Sequence, residues 1–114
     1  RLGALKSLIE LTQCVVVLKG AATLIGAPGH PSVVAPGGAP TLAAAGSGDV
    51  LAGLIGGLMA QGVAPFDASL CAVWLHVTAA QTLGVTRAER GVLASEVAAA
   101  VPEVIQGLRM GWGA

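Results

Sequence analysis

Charge is scarce in this chain. Charged residues are 11% of the 114, against about 25% in an ordinary globular domain. Six Lys and Arg balance six Asp and Glu, for a formal net charge of zero. Without a basic excess, a nucleic-acid or anionic-membrane partner is not expected. Aromatic residues are scarcer still, at 3% with no Tyr. Two cysteines, Cys14 and Cys71, lie far apart with no C-x-x-C spacing, which excludes a disulfide framework and a zinc site. They are read as reduced core thiols of a cytoplasmic protein, and no metal ligands are assigned. A secretory leader pattern is also missing, and Arg1 rather than Met stands first, so a fragment or processed product is expected.

What the chain does have is apolar bulk. Hydrophobic residues reach 54% and glycine numbers 17, where about 7% glycine is usual. Disorder is excluded. A sequence of Ala, Val, Leu and Gly packs backbone close to backbone and suits the interior of a larger assembly. Two stretches, Val50–Phe66 and Ala68–Thr86, approach membrane-spanning character. Gln61, Gly62 and Pro65 in the first, and Trp74, His76 and Gln81 in the second, argue against insertion, as does the lack of flanking Lys/Arg clusters. No membrane partner is expected.

Along the chain, Leu2, Leu5, Leu8 and Ile9 recur at helical spacing, predicting an amphipathic helix over Arg1–Thr12. The valine-rich run Cys14–Leu18 reads as a strand covered on both faces. Thr23–Ile25 and Ser32–Val34 are short β-prone runs parted by a turn at Gly26-Ala27-Pro28-Gly29. Ala35 to Pro40 forms a second loop leading into Thr41–Ala45. Val50–Gln61 is apolar on every face and predicts a buried helix, in which Gly53, Gly56 and Gly57 leave a smooth stripe for close packing. Gly62 ends it. Another helix is expected from Pro65 to about Leu83 with Asp67 as its N-cap. Ser95 and Glu96 open a last helix through Ala100, which Pro102 kinks or restarts toward Leu108, and Met110–Ala114 is a loose tail. The pattern is α/β, with the helices gathered at the C-terminal end.

Two segments can carry chemistry. The first is Gly46-Ser47-Gly48-Asp49 at the mouth of an apolar helix. Glycines let backbone N–H groups converge, and the helix N-terminus adds free donors and partial positive charge. Such a cradle suits phosphate oxygens, and Asp49 beside it can take a proton from an attacking hydroxyl. The same residues serve equally as a simple start, with Ser47 capping the helix and Asp49 complementing its dipole; spacing alone does not choose. The second segment is Lys19-Gly20-Ala21-Ala22-Thr23, just beyond the valine strand. Ligands in open α/β sheets sit past the carboxyl ends of strands, but alone the segment reads more simply as a solvated lysine and a strand start. His76, mid-helix in apolar company, reads as a core histidine, Trp74 as packing and His30 as a solvated turn residue.

Taken together, Val15 to Thr23, Leu42 to Gly53, Leu58 to Gly62, Ala72 to His76 and Leu93 to Glu96 resemble, in order, the ADP/ATP-dependent NAD(P)H-hydrate dehydratases of the ribokinase-like superfamily. The resemblance spans nearly the whole chain. It implies the C-terminal portion of a ribokinase-like three-layer α/β sandwich, short strands followed by a cluster of helices, with residues 1–114 as a single truncated domain. The implied substrates are NADHX and NADPHX, the hydrated nicotinamide cofactors, dehydrated through phosphoryl transfer from ADP or ATP with Mg²⁺. Lys19, Gly20, Ala21, Ala22, Thr23 and Gly48 would contact the nucleotide. Gly46, Ser47 and Gly48 would form the anion hole, and Asp49 would bind the hydrate and act as general base.

Departures from the family pattern are Ala44-Ala45-Gly46, where Thr-Gly-Gly is frequent, and Ala80-Gln81, where a Gly and an acidic residue usually follow the histidine. Because the family domain is more than twice this long, the fragment alone is expected to be an incomplete enzyme. It is also expected to self-associate through faces meant for missing strands. The rival readings are a ribokinase-like kinase of a hydroxymethylpyrimidine or thiazole alcohol, and a non-catalytic nucleotide-binding fragment.

Overall fold

The computed structural model describes residues 1–35, 42, 45–86 and 91–111. Its elements run α1 (Leu2–Thr12), β1 (Val16–Leu18), β2 (Thr23–Gly26), β3 (Val33–Ala35), α2 (Ser47–Ala60), α3 (Pro65–Thr86) and α4 (Ala94–Arg109). The strands form one sheet in the order β1-β2-β3, antiparallel at both junctions, with Val17 opposite Ile25 and Leu24 opposite Val34. Successive residues of β2 point to opposite faces. Gly26 turns toward Leu5 and Ile9 of α1, while Ile25 packs with Leu51 of α2 and Ala72 and Val73 of α3. The result is three layers: α1, the sheet, then α2 and α3. A second cluster joins Leu75, Ala79 and Ala80 of α3 to Val97, Val101 and Val104 of α4.

The α/β order follows the expectation, and the particulars differ where tertiary packing decides. β1 is shorter than Cys14–Leu18 and only half-buried, because among the described residues it pairs with β2 alone. The turn after β2 forms as read. His30 N–H donates to the Ala27 carbonyl at 3.1 Å, with Pro28 and Gly29 (φ 76°) in the middle. That is the pairing a type II turn wants, proline first and a residue free to take positive φ second. α1 ends where Gln13 enters the left-handed region at φ 56° and its N–H closes on the Ile9 carbonyl.

α2 departs most from expectation. Only Ser47 and Leu51 are fully buried on it. Leu54, Ile55 and Leu58 are half-buried against the core, while Ala52, Gly53, Gly56 and Gly57 are exposed. A Cβ added at any of these three glycines would meet nothing within 4 Å. The small-residue stripe thus has no partner among the described residues. In α3, Pro65 occupies the first helical position, where its missing N–H costs nothing. Ala64 supplies the capping carbonyl to Ala68 N–H at 2.8 Å, so Asp67 lies in the first turn rather than at the N-cap.

α4 runs unbroken through Pro102. Val97 and Val101 before the proline and Val104 after it are all buried, so packing holds both halves of the helix on one axis. Its start is closed by Glu96, whose carboxylate accepts the Leu93 N–H at 3.0 Å. Cys14 and Cys71 are both exposed, not core thiols. Trp74 is 48% exposed beside a 360 Å³ pocket at the sheet edge. By length and composition α3 could cross a membrane; here it is the central helix of both clusters, with Ala68, Ala72, Ala79 and Ala80 fully buried. The loop residues Pro36–Pro40, most of Thr41–Ala45, and the tail from Trp112 lie outside the described residues.

Leu5 is wholly buried and is the residue by which α1 holds to the sheet. Leu5→Ala should cost about 2–5 kcal/mol, whereas Leu11→Ala, at an 81% exposed position, should stay within about 0.5 kcal/mol. Urea unfolding of the two variants checks this, and equal losses would refute the assignment of α1's docking face.

Candidate functional site

The two glycine-bearing segments meet in space. Lys19 leaves the end of β1, and its Nζ lies 3.5 Å from where a Cβ on Gly48 would sit. Gly48 is the second residue of α2, and Gly46 is its N-cap at φ 87°. An L side chain is strained in that left-handed region, so glycine is required for the chain to turn into the helix. The first intrahelical bond runs from Val50 N–H to the Gly46 carbonyl at 3.1 Å. The N–H groups of Ser47, Gly48 and Asp49 therefore have no partner inside the helix, and no side chain among the described residues caps this end.

The Ser47 hydroxyl does not cap. It is buried and donates to the Leu42 carbonyl at 2.8 Å. Of the simple helix start, the serine cap is thereby excluded, while Asp49 does stand in the first turn, where its charge complements the helix dipole. What remains is an open helix N-terminus with an ammonium beside it, the charge arrangement that favours an anion. Asp49, in the first turn, is exposed next to this cradle.

The Lys19–Thr23 segment is held from behind. Arg1 donates to the carbonyls of Leu18 at 3.2 Å, Lys19 at 3.0 Å and Ala22 at 2.8 Å. A Cβ on Gly20 would come within 2.6 Å of the guanidinium, so the glycine makes room for the arginine. Gly20 and Ala21 are exposed, while Ala22 and Thr23 are half-buried as the chain enters β2. Sequence reading missed Arg1 because its partners are carbonyls of a loop far along the chain, which leave no local signal.

His76 is buried, as expected of a core residue, but among the described residues its Nε2 has no hydrogen-bond partner. Burial, and next the charge of Lys19, hold its imidazole below the ordinary 6.5, opposed in part by a hydrogen bond with the Ser47 backbone. Among the described residues no three His, Cys, Asp or Glu side chains gather for a metal. An 830 Å³ groove runs along the other end of the sheet, between Val15, Pro28, Met59 and Phe66, and none of the cradle residues lines it. There His30 stacks on Phe66 with ring centroids 4.2 Å apart.

A three-layer α/β frame with a glycine turn into an open helix N-terminus is the ribokinase-like arrangement. Comparison with known proteins narrows it. The family model described as NAD(P)H-hydrate dehydratase matches residues 1–103. The chain is 44% identical over 98 residues to the bifunctional NAD(P)H-hydrate repair enzyme Nnr of Gloeobacter violaceus, covering 86% of this chain and 19% of that protein. To the ADP-dependent (S)-NAD(P)H-hydrate dehydratase of Neisseria meningitidis it is 42% identical over 101 residues, covering 88% and 34%. The solved ADP/ATP-dependent NAD(P)H-hydrate dehydratase of Bacillus subtilis, co-crystallized with ATP/Mg²⁺, superposes with a TM-score of 0.84 at 33% identity, covering 91% of this chain and 38% of that one. The chain belongs to the NAD(P)H-hydrate dehydratase family. It spans about a fifth to a third of the length of these curated relatives.

The native imidazole of His76 binds fewer protons than the unfolded one below pH 6.5. Its neutral burial therefore supports the fold fully above that value and less as pH falls below it. The thermal midpoint should drop from about pH 7 to about pH 5, and His76→Gln should flatten that slope. A slope unchanged in the variant would assign the acid sensitivity elsewhere.

Proposed function

We propose that this chain carries the nucleotide-binding and phosphoryl-transfer portion of an NAD(P)H-hydrate dehydratase, which returns NADHX and NADPHX to NADH and NADPH at the expense of ADP or ATP. The observation that carries the proposal is the approach of Lys19 Nζ to Gly48 at an uncapped helix N-terminus. Membership of the family supports the substrate class. Residues 1–114 are read as the C-terminal portion of one ribokinase-like domain, consistent with the share of the relatives that is matched.

In this reading the loop from Lys19 to Thr23, steadied by Arg1, takes the nucleotide. Lys19 neutralises phosphate charge, and Gly48 lets the backbone come close to it. The N–H groups at Gly46, Ser47 and Gly48 form the anion hole, stabilising charge that grows on the phosphoryl oxygens in transfer. Asp49 accepts the proton of the hydrate hydroxyl as that oxygen forms its bond to phosphorus and the bond to the departing nucleotide breaks. Phosphate then leaves with its oxygen, and loss of a ring proton restores the double bond. Bound Mg²⁺ would offset phosphate charge during the transfer; the exposed Asp49 and the open cradle leave space for a metal carried by the nucleotide. Homo-oligomerisation belongs to the same reading, supported by exposed Leu11, Val34 and Met59, and two unbridged thiols fit a reducing cytoplasm.

Titration of the chain with ADP and ATP in the presence and absence of Mg²⁺ tests the proposal. Lys19→Ala should weaken binding roughly tenfold to a hundredfold, the loss of one charge-assisted contact. Asp49→Asn should leave nucleotide affinity within about twofold while lowering NADHX dehydration by roughly 10²–10⁴ wherever turnover is measurable. An alcohol phosphorylated in place of the hydrate would move the assignment to a kinase, and no nucleotide binding at all would remove it.

A further inference from the structure

Arg1 is a poor residue for the place it holds. It is the N-cap of α1 and makes no side-chain cap bond there. Short polar side chains serve at an N-cap, and a cation opposes the helix dipole. Its guanidinium is spent across space instead. Nη1–H donates to the Ala22 carbonyl at 2.8 Å, and Nη2–H to those of Lys19 at 3.0 Å and Leu18 at 3.2 Å. The backbone of Arg1 is itself held, because its carbonyl accepts the N–H of the wholly buried Leu5 at 3.0 Å. Gly20 completes the arrangement. It is not among the glycines at positive φ, so its backbone conformation does not require glycine. A Cβ there would stand 2.6 Å from Nη2 and 2.8 Å from Cζ and Nη1. What the position excludes is a side chain in the guanidinium's place.

We propose that Arg1 is a positioning residue for nucleotide binding: it sets the Lys19–Thr23 loop in its binding form, and Gly20 is a glycine in order to admit the guanidinium. The inference rests on the nucleotide reading of that loop. Two of the chain's six basic residues meet there. Lys19 extends its Nζ toward Gly48, while Arg1 works through the backbone. The three carbonyl oxygens it gathers are dipoles that would repel a phosphate, and a cation offsets them. A planar fork with donors in fixed directions holds three carbonyls at once, which the compact ammonium of a lysine does not reproduce. Replacing Gly20 therefore acts by displacing Arg1, not by blocking the nucleotide.

Titration of the intact chain with Mg²⁺–ADP tests this. Arg1→Ala should weaken binding roughly tenfold, and Arg1→Lys, which keeps the charge, nearly as much. Gly20→Ala should match Arg1→Ala, and the double variant should be no weaker than either, since both changes remove one brace. Millimolar guanidinium chloride should restore affinity to Arg1→Ala and not to the double variant, where the Cβ fills the space; sodium chloride at the same concentration should restore neither. A residue that only held α1 to the sheet would lower the thermal midpoint and leave affinity unchanged. Additive losses, full recovery in Arg1→Lys, or unchanged affinity in Arg1→Ala overturns the proposal. Without nucleotide, backbone order at Gly20–Ala22, read from heteronuclear NOE values, should fall in Arg1→Lys and Gly20→Ala alike while α4 keeps its own. Unchanged order in both overturns the brace even where Arg1→Ala does not fold. Absence of ADP binding by the wild-type chain would instead sink the nucleotide reading, leaving the loop order to judge the brace.

Discussion

Leu51 decides where the cradle stands. Four percent exposed, it is set into the cluster of Ile25, Ala72 and Val73, one turn inside the start of α2. A helix is stiff over one turn, so seating Leu51 between the sheet and α3 also seats Gly46 to Asp49. β1 and β2 are fixed to the same cluster through Val17 and Ile25, and Lys19 leaves the sheet within reach of Gly48. Two segments far apart in sequence come together because both ends are tied to one apolar contact.

Around that contact, the polar features act at short range and one at a time. Arg1 gathers three loop carbonyls, Ser47 is spent on Leu42, and Glu96 closes the start of α4. With so little charge in the sequence, each such group has one task. The N-terminus of α2, like that of α1, is closed by no side chain among the described residues.

Much of this was legible in the residues. The valine run, the Pro28-Gly29 turn and the Gly-x-Gly-Asp turn are local signals, and each set its element to within a few residues. The two glycine-bearing segments stood out for the same reason, and their meeting at Lys19 and Gly48 is what folding added. What was not legible is what depends on neighbours across space. α2 has no polar side to mark which face meets the core, so its sequence suggested burial all round, whereas its Gly53–Gly57 face is open. Pro102 spoke for a break that the valines beneath α4 override. His76 looked like an ordinary core residue, and that its Nε2 is left without a partner among the described residues shows only after folding.

The open glycines of α2 also bear on how that helix holds together. An exposed glycine inside a helix costs about 1 kcal/mol relative to alanine, and Gly53, Gly56 and Gly57 all lie beyond Leu51. The distal half of α2 therefore owes its helical form to the seating of Leu54, Ile55 and Leu58 against the core rather than to its own propensity. Its last carbonyls, those of Leu58 and Met59, are taken by the N–H groups of Gln61, Gly62 and Val63. A helix that would be weak alone is thus held along its length by what lies beneath it, and its start is carried with it.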